Sequence, residues 1–194
     1  MYCKRNLISA LFALAVAILA AGGHAHGQGD KMPFPAYGSG AIDVRLYSDY
    51  FCPPCQKLEP YLESILKDLL KRNIIRLTLV DFPMHEESTL YTRYFLNALK
   101  SRNDVEYGLR VRNILFNAAT AGKDSRTAKR IEELFRKNKI PFLAFDPKPI
   151  FERFNTMLKE DRINQTPTCV IIKGVKRETF VGGDDILSAL KELK

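Results

Sequence analysis

Two of the chain's four cysteines, Cys52 and Cys55, frame a pair of prolines in the stretch "YFCPPCQKL". Thiols at this spacing can carry electrons by making and breaking a disulfide, supply two ligands to a metal, or staple a turn. The staple is the weakest of these uses, because a bridge closing so short a loop constrains the unfolded chain very little. Copper or zinc held by Cys52, Cys55, Cys169 and His85 fits by residue type. Zinc sites of this kind, however, combine two short-spaced ligand pairs, and this sequence has one. Carrying electrons and holding a metal are both left open by the pair alone.

The compartment bears on that choice. Lys4 and Arg5 precede an apolar run from Leu7 to Ala21, followed by small and then polar residues, which is the order of a secretory signal. The run is shorter than the ~20 residues a membrane-spanning helix needs, although an uncleaved anchor is the alternative. Residues 1–27 are expected to be removed, with Gly22, Gly23 and Gly27 as candidate cleavage points. Cys3 precedes the apolar run, badly placed for a lipoprotein anchor, and would leave with the signal. The "GHAHG" stretch could chelate copper only if it stayed at the mature N-terminus. In an oxidising compartment cysteines are free to form disulfides.

The remaining 194 − 27 = 167 residues suit one domain with one core. Lys and Arg exceed Asp and Glu by 30 − 22 = 8, of which Lys4 and Arg5 would be lost. The basic residues are scattered, and no nucleic-acid motif accompanies them. The densest group, Lys123, Arg126, Lys129, Arg130, Arg136 and Lys137, reads as a solvated helix face, with docking of a partner as the alternative.

Elements that must position the cysteines follow from local pattern. Ile42, Val44 and Leu46 predict a buried strand just before the motif. Leu58, Leu62, Ile65, Leu66 and Leu69 predict an amphipathic helix just after it. Pro53 and Pro54 suit that helix's first turn, where no backbone donor is needed, and Pro60 should bend it. "IIRLTLVDF" predicts a second strand. A helical block runs from about residue 86 to 163, with Tyr91, Tyr94, Phe95, Phe116 and Phe135 as mostly core aromatics. "PTCVIIK", a turn at Gly174, "RETFVGG" and "DDILSALKELK" then predict a hairpin and a last helix. Residues 28–40 are expected to be a flexible lead-in and 41–194 the folded domain. The order is βαβ, helical block, ββα, an α/β architecture with a mixed central sheet flanked by helices.

With these elements in place, the chain resembles the DsbA-like branch of exported thiol-disulfide oxidoreductases, within the thioredoxin fold. The resemblance covers residues 38–194. It rests on "SDYFCPPCQKLEP", "DFPMHEES", Thr166-Pro167-Thr168, "VGG" before the last helix, and the inserted helices. It implies that Cys52 is an exposed nucleophile and Cys55 the buried thiol that resolves the mixed disulfide. It also implies that Pro167 is a cis-proline facing the pair, and that Thr166 offers backbone groups to a substrate strand. No organic cofactor is implied. The implied partners are cysteine-containing exported proteins and a membrane redox partner that resets the pair, with the protein acting as a monomer in the periplasm or another extracytoplasmic space.

The sequence also departs from that branch. Leu46 stands where many relatives carry a buried acid, and Asp49 lies nearby but on a different register. Pro53-Pro54 replaces the Pro-His dipeptide of strongly oxidising members, so a less acidic Cys52 and a less oxidising couple are expected. Oxidase activity is favoured by the resemblance, and the histidine-free dipeptide leaves a reductase open. Isomerase activity is disfavoured, since no dimerisation segment of the kind dimeric isomerases carry is visible. A binding module with a static disulfide is a further alternative. Cys169 reads as a small core side chain rather than a third redox thiol, and His85 as a loop-packing residue.

Overall fold

The computed structural model describes residues 32–122 and 126–194. The expected signal segment, Cys3, "GHAHG" and Lys123 lie outside them. The elements are β1 (Ala36–Tyr37), β2 (Ile42–Ser48), α1 (Pro53–Lys71), β3 (Ile75–Asp81), α2 (Ser88–Ser101), α3 (Val105–Thr120), α4 (Ala128–Lys137), α5 (Lys148–Glu160), β4 (Thr168–Lys173), β5 (Lys176–Val181) and α6 (Gly183–Lys191). The five strands form one sheet in the order β1-β3-β2-β4-β5. β2 and β3 run parallel, and β1 and β4 pair antiparallel with β3 and β2. This is a thioredoxin fold with helices inserted between β3 and β4.

β2 is the central strand, and its last residues Leu46, Tyr47 and Ser48 are all buried. A strand covered on both faces delivers the chain rigidly to the turn that follows. α1 lays Leu58, Leu62, Leu66 and Leu69 against the sheet, one apolar stripe at helical spacing. Pro60 lies within this helix. The hairpin of β4 and β5 turns at Gly174, whose φ of +59° glycine adopts without a Cβ penalty.

From residue 32 the lead-in is ordered by pairing that the sequence does not reveal. Ala36 and Tyr37 add an edge strand to β3, and Gly40 passes so close to the next turn that a Cβ there would lie 2.2 Å from the Ile74 carbonyl carbon. Backbone pairing supplies order that proline-rich composition does not reveal. At the far end, buried Asp161 after α5 takes hydrogen bonds from Tyr47 and Arg177 and pairs with Arg45 at 3.0 Å. These contacts fasten the end of the helical insertion to β2 and β5.

Candidate active site

Cys52 is the N-cap of α1, and Pro53 and Pro54 occupy its first turn. Neither proline has an N–H to leave unsatisfied there. The helix's hydrogen bonding begins with Gln56 N–H donating to the Cys52 carbonyl at 3.0 Å. The free N–H groups and dipole of this end favour a negative charge on the sulfur. From the opposite side comes the loop before β4, where the Thr166–Pro167 peptide bond is cis. Cys52 Sγ donates to the Thr166 carbonyl oxygen, 3.2 Å away.

Hydrogen bonding from Cys55 is the largest influence on the Cys52 thiol. Burial opposes it, and further hydrogen bonds from the Thr166 side chain and the Cys55 backbone add to it. Together they pull Cys52 from an ordinary 9.0 down to about 6. Donation to Cys52 and burial push the Cys55 thiol far up. One sulfur is therefore poised as thiolate and the other held as thiol, which is the asymmetry that a nucleophile and a resolving thiol require. Cys169, fully buried opposite Leu46, is pushed up to about 12 by burial alone and is chemically quiet.

Cys52 is less open than the sequence reading expected. The residue is 7 % exposed, because the Thr166 loop and the neighbouring turn crowd it. Met84 is 49 % exposed, and its Sδ accepts a long hydrogen bond from the Thr166 hydroxyl at 3.8 Å. On the other flank, a cavity of about 430 Å³ is bounded by Pro54, Lys57, Tyr61, Asp184 and Leu187. Among the described residues, no three His, Cys, Asp or Glu side chains converge on a common point.

The sequence reading left two residues near the site unassigned. Asp49 is buried and accepts from Phe51 N–H at 2.7 Å, Met84 N–H at 2.6 Å and Ser88 O–H at 2.7 Å, with His85 Nδ1 at 3.0 Å. It thus binds the cysteine turn, the loop after β3 and the start of α2 to one another. Arg126, grouped by sequence with a solvated basic face, instead stacks its guanidinium 4.6 Å above the Phe51 ring and pairs with Glu87 at 3.2 Å. Phe51 also packs edge-on against Tyr91 at 4.8 Å, so the helical insertion holds the residue before Cys52. A polar residue three positions before the first cysteine was the only signal available; that Arg126 precedes α4 rather than lying on its face is decided by the structure.

A sequence profile described as thioredoxin matches residues 38–192. The chain belongs to this thioredoxin family. No curated protein matches the sequence. Among solved structures, this thioredoxin-family chain is similar to a periplasmic thioredoxin-like protein from Salmonella enterica serovar Typhimurium, with a TM-score of 0.61 and 19 % identity over 84 % of this chain and 91 % of the other. It is similar to alpha-DsbA1 of Wolbachia pipientis, with a TM-score of 0.65 and 11 % identity over 82 % and 90 %. BdbD from Bacillus subtilis in its oxidised form gives a TM-score of 0.58 and 16 % identity over 82 % and 92 %. The family member described here thus has the DsbA-like form of the fold. Among the described residues no helix is long and apolar enough to cross a membrane.

Proposed function

We propose that this protein is an exported thiol-disulfide oxidoreductase that exchanges disulfides with cysteine-containing extracytoplasmic proteins. The observation that carries the reading is the placement of Cys52 at the N-terminus of α1, its Sγ 3.2 Å from the carbonyl of the cis Thr166–Pro167 peptide with Cys55 buried one turn on, which lowers the Cys52 thiol and raises that of Cys55. Substrate and protein pass through a mixed disulfide at Cys52, which Cys55 resolves. Thr166 offers its carbonyl to the substrate backbone, while the exposed Met84 side chain offers an apolar contact beside it. The oxidising direction is favoured, because stabilising the thiolate stabilises the reduced pair and so makes the disulfide a better oxidant. A membrane redox partner resets the pair. Residues 1–27 act as the signal, 41–194 as the working domain, and the protein works as a periplasmic monomer without a cofactor.

The test is to trap the intermediate. The Cys55→Ala protein, mixed with an oxidised peptide, should accumulate a disulfide adduct at Cys52, and Cys52→Ala should give none. Absence of an adduct would sink the reading. Equilibration of the wild-type pair with graded glutathione buffers then decides direction. A potential near about −120 mV marks a disulfide donor, and one near about −270 mV marks a reductase.

A further inference from the structure

The loop leaving β3 reaches the site through two successive residues. Met84 touches Thr166, whose carbonyl faces Cys52. His85 follows it, with its ring centroid 6.4 Å from that of Phe51, the residue before Cys52. The imidazole's hydrogen bond is to Asp49, through Nδ1 at 3.0 Å. Asp49 has a side chain with no exposure, and it already accepts from Phe51, Met84 and Ser88. A buried carboxylate ringed by donors is an acceptor, so the hydrogen-bond network assigns the ring proton to Nδ1. With Nδ1 engaged by Asp49, Nε2 is the ring nitrogen left to act as an acceptor, on a side chain that is 43 % exposed.

We propose that His85, oriented by Asp49, is the base that takes the proton of an incoming substrate thiol as it attacks the oxidised Cys52–Cys55 pair. The proposal rests on the exchange reading above. In the step, the substrate S–H bond breaks and its proton passes to His85 Nε2. The electron pair left on that sulfur forms a bond to Cys52 Sγ. The Cys52–Cys55 bond breaks with its electron pair on Cys55 Sγ, which is held far toward the protonated form and takes up the proton that His85 gives back. One S–H is exchanged for another and one S–S for another, so no outside oxidant is consumed. Asp49, bound to Nδ1, orients the ring, and its bonds to Phe51 and Met84 keep it beside the cysteine turn. The reverse step uses the same groups, with His85 returning the proton to the leaving substrate sulfur.

The experiment compares two thiols as reductants of the oxidised protein at pH 7, in the wild type and in His85→Gln, whose amide can still donate to Asp49. One probe is a cysteine peptide, whose thiol is mostly protonated with a pKa near ~8.5. The other is thionitrobenzoate, already ionised at that pH. His85→Gln should slow the peptide by about 10- to 30-fold, the upper bound being the factor by which its thiolate is scarce at pH 7, and leave thionitrobenzoate unchanged. Equal rates for wild type and variant with both probes would overturn the proposal. So would a parallel loss with both, which marks a purely structural role. If the wild type reacts with neither probe, the exchange reading itself fails and the role of His85 fails with it.

Discussion

Cys52 Sγ and the Thr166 carbonyl oxygen meet at 3.2 Å although 114 residues separate them in the chain. The bond uses the thiol proton, so it exists only in the reduced, protonated state. Once Cys52 is in a mixed disulfide, the same carbonyl is free to accept a substrate N–H.

The first prediction concerns this sulfur. Alkylation of the reduced protein should titrate with a midpoint near pH 6 at Cys52, while Cys55 and Cys169 stay unreactive to pH 8. The sign for stability follows. Cys52 is depressed from 9.0 to about 6 on folding, so its contribution to the reduced protein is complete above pH 9 and fades as pH falls from 9 to 6. Peptide mapping of alkylated thiols reads the first part, and denaturant unfolding of the reduced form against the oxidised form reads the second. A Cys52 midpoint near 9 would contradict both.

The buried cluster behind the turn makes a second prediction. Arg112 is 1 % exposed, its Nε 2.7 Å from Glu59 Oε1, its Nη2 2.7 Å from Ser48 Oγ and its Nη1 3.6 Å from Asp81 Oδ1. Arg112→Met leaves two buried carboxylates, Glu59 and Asp81, without their shared cation, and should cost roughly 3–5 kcal/mol at pH 8. Adding Glu59→Gln should return part of that loss. Unfolding in urea measures each, and a loss under 1 kcal/mol for the single variant would show the cluster to be dispensable.

Asp81 belongs to the same cluster but acts with the opposite sign to Cys52. Burial, opposed by Arg112, raises it from 3.8 to about 6. Its contribution to stability is therefore complete below pH 4 and is lost as pH rises through 6. Asp81→Asn should match the wild type at pH 4, exceed it by roughly 1–3 kcal/mol at pH 8, and flatten the slope between. A variant weaker than wild type at pH 8 would mean that the ionised carboxylate is worth more to Arg112 than its burial costs.

A fourth prediction tests the ordered lead-in. Gly40→Ala would place a Cβ within 2.4 Å of three backbone atoms of Ile74 and Ile75, which cannot move aside as a side-chain tip can. The expected loss is about 1–3 kcal/mol. It should be accompanied by faster amide exchange at Tyr37 and Leu79, which sit where the lead-in meets β3. Wild-type stability would show that the lead-in can leave β3 without consequence.

Much of the architecture was legible in the sequence because its signals are local. Val44 and Leu46 alternate with polar neighbours, Leu58 to Leu69 repeat at helical spacing, and prolines mark the first turn of α1. These patterns placed Cys52 and Cys55 at a strand-to-helix junction and set the order of elements. Thr166-Pro167, far away in the chain, was readable only through its resemblance to a known arrangement.

What the tertiary structure alone decided are meetings between polar residues that are distant in sequence. Asp49 looks like one more turn acid until it is seen to accept from the cysteine turn, the loop after β3 and α2. Arg126 and Arg112 look like solvated charges until one lies on Phe51 and the other beneath the turn between two acids. Periodicity reports which face of a helix is apolar, but not which charged side chain is carried inside. That depends on whether a partner waits there to offset its desolvation, and the partner is supplied by a different element of the fold.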